Sequence, residues 1–137
     1  MVQPFLQQTL SIIEAERTGN FHESFRLVDE LLKEYGEQDI AEHLYRDIPT
    51  DCSWEVVADL FGILIWSMSD AGAAALFDTT NQWLLEGDNL RKIRIALNID
   101  LYPFRNSHQM RDVLFELANR YPEIAQQCHK FIASRKT

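Results

Sequence analysis

Residues 90–101, LRKIRIALNIDL, are the one stretch of this chain that can be read in two ways. At a period of two, Ile93, Ile95, Leu97, Ile99 and Leu101 alternate with Arg94, Ala96, Asn98 and Asp100, which is the strand pattern. At a period of 3.6, Leu90, Ile93, Leu97 and Leu101 share one helical face. A strand must pair its backbone groups, and no second alternating run occurs in the 137 residues, so the helical reading is favoured. As a strand, the segment would instead offer an edge to another molecule.

Working outward, the rest of the chain carries helical punctuation. Pro4 can open a first helix with Leu6, Leu10 and Ile13, closed by Gly19. Asn20 can cap a second with Phe21, Phe25, Val28, Leu31, Leu32 and Tyr35, ending at Gly36. A short third holds Ile40, Ala41, Leu44, Tyr45 and Ile48 before Pro49, and a fourth runs from about Asp51–Ser53 to Met68. Asp70 is expected to cap the fifth, Asp88 the sixth and Ser107 the seventh, and Pro122 sits in the first turn of the eighth. The expected fold is therefore all-α, one compact domain over residues 1–137, built as an irregular bundle or a short HEAT-like stack. LFGILIWSMS at 60–69 is apolar nearly all round, which places the fourth helix at the centre with Trp66 in the core. Gly62 and the Gly72–Ala75 run give the fourth and fifth helices small faces for close packing.

Composition bounds the function. Fifteen aromatics and 46% hydrophobic residues supply a core and exclude disorder. The apolar run Leu60–Ser69 is about half of what a bilayer needs. MVQPFLQQTL has no basic leader region, and Cys52 and Cys128 lack framework spacing, which together lead us to expect a cytoplasmic protein. The net charge of −8 is unevenly distributed. Residues 1–90 carry 17 acids and 4 bases, whereas residues 91–137 carry 4 acids and 9 bases. Between Arg46 and Arg91 there are eight carboxylates and no Lys or Arg. Such polarity governs association and steering.

Motifs for chemistry are missing. The five glycines form neither a phosphate loop nor a dinucleotide fingerprint, and there is no nucleophile elbow and no H-E-x-x-H. His43 with Asp39, and His108 with Asp112, are four apart and read as surface pairs, so no metal or other cofactor is expected. Cys128 beside His129 falls on an apolar stripe and reads as a core thiol. Arg91, Lys92 and Arg94 raise nucleic-acid binding, but the acidic first ninety residues would repel a polyanion, and anionic membranes likewise.

One feature resists a structural explanation. Asp47, Asp51, Glu55 and Asp59 recur every four residues, and the last three should stack along the fourth helix. Like charges at this spacing destabilise a helix by roughly 0.2–0.5 kcal/mol per pair, and no base nearby in sequence relieves them. The helix dipole helps only at the first turn. Asp70, Asp78 and Glu86 extend the acidic group, and all three tryptophans lie in the same base-free segment. Trp54 and Trp83, near helix ends, are expected to be partly exposed and to anchor a basic protein partner amid these carboxylates.

In that profile (short, acidic, helical, without catalytic motifs) the chain resembles the small immunity proteins that neutralise bacterial toxins, including those of contact-dependent growth inhibition systems. The resemblance implies a non-enzymatic inhibitor that covers a basic toxin domain, often a nuclease, with an acidic face. The expected contact residues are Asp47, Asp51, Trp54, Glu55, Asp59, Asp70, Asp78, Trp83 and Glu86. A helical scaffold or adaptor for a basic cellular protein fits the same residues. The sequence leaves stoichiometry and self-association open.

Overall fold

A computed structural model describes residues 4–135; residues 1–3 of the leader reading and Lys136 of the basic segment lie outside the described residues. The chain is all-helical, and no strand occurs among the described residues. The helices are α1 (Pro4–Glu16), α2 (His22–Tyr35), α3 (Ile40–Asp47), α4 (Trp54–Ser67), α5 (Asp70–Glu86), α6 (Leu90–Leu97), α7 (Ser107–Arg120) and α8 (Ala125–Ser134), with a 3-10 turn at Pro122–Ile124 before α8. No helix of the described residues is long and apolar enough to cross a membrane.

The ambiguous segment resolves as helix through Leu97 and then leaves it. Asn98 ends α6, and its side-chain amide donates to the Arg94 carbonyl at 2.7 Å. Asp100 takes a left-handed φ of 68° that turns the chain. Ile99 consequently buries against the fourth helix's neighbourhood, whereas Leu101, expected on the helical face, is exposed. Both periodicities were partly right because Ile93, Ile95, Ala96 and Leu97 are all buried: α6 is covered on more than one side.

α4 occupies the centre. It packs on α1, α2, α5 and α6, so the helices form an irregular bundle around it. Val57, Leu60, Phe61 and Leu64 are fully enclosed in a core shared with Leu6, Ile13, Leu31 and Leu44. A second core lies between α6, α7 and α8, around Ile93, Leu97, Leu114 and Cys128. The α5–α6 pair joins the two.

Several helix starts are capped one residue away from the expected position. Ser69, not Asp70, caps α5; Asn89, not Asp88, caps α6; Asn106, not Ser107, caps α7. In each case the residue with extended backbone can turn its oxygen onto the first helical N–H groups, and the next residue is already helical. At α2, Phe21 holds the cap position while Asn20 accepts only from the His22 N–H at 3.3 Å. Glu16, from the end of α1, accepts from the Ser24 N–H at 2.7 Å and the Ser24 hydroxyl at 2.6 Å. Glu37 does the same for α5, accepting from the Ser69 N–H and hydroxyl. Gly72 is small because of this carboxylate: a Cβ there would lie 2.5 Å from Glu37 Oε1. Gly62 faces the Ile99 carbonyl, not α5, so the expected close packing between α4 and α5 is not what either glycine serves.

Candidate functional site

The acidic stripe exists in part. Asp51 lies in the turn before α4, outside the helix, and is exposed. Asp47 ends α3, where it accepts from the Tyr35 hydroxyl at 2.8 Å and lies 3.3 Å from Arg46. The Tyr35 hydrogen bond holds the Asp47 carboxyl below its usual range, while burial, with Asp47 beside it, pushes the Tyr35 phenol up to about 12. Glu55 and Asp59 do share a face of α4. Their relief comes from the turn after α1: Arg17 Nε donates to Asp59 at 2.7 Å, and its guanidinium lies 3.6 Å from Glu55. Partial burial raises the Asp59 carboxyl against the opposing pull of Arg17. Asp70, Asp78 and Glu86 are exposed along α5, Asp78 beside a smaller hollow with Leu85 and Arg105.

Trp66 and Trp83 exchange their expected places, whereas Trp54 is half-buried as expected. Trp83 is core, 2% exposed, with its indole N–H donating to Glu42 at 2.5 Å and its ring against Tyr45 and Phe61. It cannot anchor a partner. Lys92 sits over both the Trp83 and Tyr45 rings, at 5.2 and 5.1 Å, and Arg94 over the half-buried Trp54 at 5.8 Å. Arg91 donates to the Cys52 carbonyl at 2.7 Å. The basic cluster of α6 is thus engaged with the aromatics and loop carbonyls of the acidic half. Arg120 and Arg135 are engaged in the same manner, on the Gly87 carbonyl and on those of Pro103, Phe104 and Arg105.

Trp66 is the exposed tryptophan, at 78%. A signal for this was present in the sequence: Glu55, Asp59, Gly62 and Trp66 recur at intervals of four, three and four, one face of a helix. A face that carries two carboxylates does not turn into the core at its end. Hydropathy alone concealed this, because the residues between Asp59 and Asp70 are uncharged on every side of the helix.

Around Trp66 lies a groove of about 630 Å³. Ala58, Asp59, Gly62 and Ile63 of α4 line it with Phe21 and Phe25, the 97–102 segment, and Gln127, Phe131 and Ser134 of α8. Phe25, Leu101 and Tyr102 expose 40–43% of their surface beside Trp66. Four of the large exposed apolar side chains of the described residues therefore gather in one place, whereas monomers normally scatter them. The groove joins elements from residue 21 to residue 134, so only the tertiary fold assembles it. Elsewhere no His, Cys, Asp or Glu of the described residues converge as a metal-binding group. Cys52 and Cys128 are unpaired thiols, and burial pushes Cys128 up to about 11.

Comparison with protein-family models, with curated proteins and with solved structures finds no match to this chain.

Proposed function

We propose that this protein is a non-enzymatic binding protein that captures a basic protein partner, in the manner of an immunity protein neutralising a toxin domain in the cytoplasm. One observation carries the reading: the central helix presents the exposed Trp66 and Asp59 at an apolar groove, with Glu55 one turn before Asp59 on the same face. Large, rigid aromatics in desolvable settings supply most of the binding energy of protein interfaces, and surrounding charge steers the encounter. The excess of acids over bases favours a cationic partner. The two reduced thiols suit a cytoplasmic setting.

The reading is tested by co-expression and capture. The tagged chain is recovered from its source cells at about 50 and 150 mM salt and bound proteins are identified by mass spectrometry. A single basic protein in stoichiometric complex, toxic when expressed alone and harmless with this chain, is the expected result. An acidic partner, or a partner whose toxicity this chain does not suppress, refutes the immunity reading.

A further inference from the structure

The groove beside Trp66 defines its occupant through shape and charge. Ala58 and Gly62, one turn apart on α4, put small residues along its floor: Ala58 is buried, and Gly62 lies against the Ile99 carbonyl, which a Cβ there would meet at 3.7 Å. From Ala58 to Trp66 is eight residues, about 12 Å or two helical turns. The polar groups at its margin are mostly satisfied internally. Gln127 donates to Asn98 at 2.8 Å, the Tyr102 and Ser134 hydroxyls bond at 2.7 Å, and Asp59 is held by Arg17. Asp100 differs: it is exposed, sits at the groove, and makes no hydrogen bond or ion pair with any described residue. Both charged side chains that line the groove, Asp59 and Asp100, are carboxylates.

A small ligand lying on the floor would leave the indole of Trp66 in water, because that ring protrudes from the rim. Only a partner as broad as the rim covers Trp66, Phe25, Leu101 and Tyr102 together. Strand addition is unavailable, since no strand edge occurs among the described residues. A trough with small residues on its floor instead admits the apolar face of a helix, which presents side chains at i, i+3 or i+4, and i+7.

We infer that this groove is the docking site for an amphipathic helix of the partner protein, packed over Ala58 and Gly62 against Trp66, with a Lys or Arg at its margin paired to Asp100. The inference rests on the reading of the chain as a binder of a basic protein and places that contact at the groove, away from the exposed carboxylates of α5.

The probe is a displayed library of random peptides of about 18 residues, long enough to hold a helix, selected against the purified full chain. Enrichment of peptides with apolar residues at helical spacing and flanking Lys or Arg is expected. Their binding should shift tryptophan emission to the blue in the wild type and not in Trp66→Phe. Affinity should fall at least about tenfold in Trp66→Ser, a surface change that leaves the core intact. Selection on Asp100→Asn, a substitution that tolerates the left-handed backbone, should lose the preference for Lys and Arg. No enrichment, enrichment of acidic peptides, or binding indifferent to Trp66→Ser overturns the inference. Self-association in sedimentation that Trp66→Ser abolishes also overturns it, by giving the groove to a second copy. The two readings fail separately. A native partner captured equally well by Trp66→Ser overturns the groove and leaves the proposed function standing. Selected basic helices with no toxic native partner support the groove and refute the immunity reading.

Discussion

Two tryptophans of the same base-free segment should respond in opposite ways to truncation. Trp83 is 2% exposed, packs on Tyr45 and Phe61, and donates its indole N–H to Glu42. Truncating a buried Trp to Ala costs about 3–5 kcal/mol through lost transfer energy and the cavity left behind. Glu42 then loses its indole donor, and Lys92 loses one of its two rings. For 137 residues the unfolding entropy near 60 °C is about 0.29 kcal/mol/K, so Trp83→Ala should lower Tm by about 10–17 °C. Trp66 is 78% exposed. Trp66→Ala should change stability by no more than about 0.5 kcal/mol, or about 2 °C. Circular dichroism melts of both variants measure this, with tryptophan emission as a second probe. Removing Trp66 should delete the red, solvent-exposed component of the spectrum, whereas removing Trp83 should delete a blue one. A Trp66→Ala melt lowered by more than about 5 °C, or a Trp83→Ala melt near wild type, would refute the placement of these residues.

Arg135 donates to three consecutive carbonyls, Pro103, Phe104 and Arg105, and so pins a loop in which Phe104 has a left-handed φ of 62°. Arg135→Ala should cost about 2–4 kcal/mol in urea denaturation, and Arg135→Lys should recover little, lacking the planar fork. Gly87→Ala should destabilise by about 1–2 kcal/mol, because φ is +63° and the new Cβ meets Arg120 Nη1 at 2.8 Å. Gly62→Ala, inside α4 with only an ordinary contact, should stabilise by about 0.5–1 kcal/mol in the same assay. Glu16 and Glu37, hydrogen-bonded by Ser24 and Ser69, have folded pKa values below the ordinary 4.5. A depressed carboxyl contributes stability above its unfolded value that is lost as pH falls through its folded one. Tm should therefore hold from neutral pH to about 5 and drop below 4, and Glu16→Gln with Glu37→Gln should flatten that drop. An equally steep acid limb in the double variant would show that other carboxylates, such as Asp47, dominate.

Helix content and order were legible in the sequence because they depend on local signals: period, breakers and caps. α3 follows its expected stripe closely, with Leu44 enclosed, whereas in α2 Val28 and Leu31 are buried as anticipated but Leu27 is buried in place of Phe25, which is exposed. Cap positions slipped by one residue where two capping residues are adjacent, as in Ser69–Asp70, Asp88–Asn89 and Asn106–Ser107. Either can accept from the first turn, and backbone conformation chooses. The acidic stripe was half legible. Glu55 and Asp59 share the face predicted for them, but their counter-charge, Arg17, lies 42 positions from Asp59 and carries no sequence mark of that role.

By itself the sequence determined an all-α chain with a central apolar helix, an acid-rich first part and a basic last part. Periodicity and charge count are properties of neighbours along the chain. Only the tertiary structure decided what those charges and aromatics face. It laid Lys92 and Arg94 of α6 over Trp83 and Trp54, and it buried Trp83 in the core while leaving Trp54 half-buried. It also left Trp66 at the surface and brought Phe25, Leu101 and Tyr102 beside it. The physical reason is that exposure depends on which helix covers which face. In a helix apolar on every side, such as α4, no local pattern marks the side that its neighbours leave open.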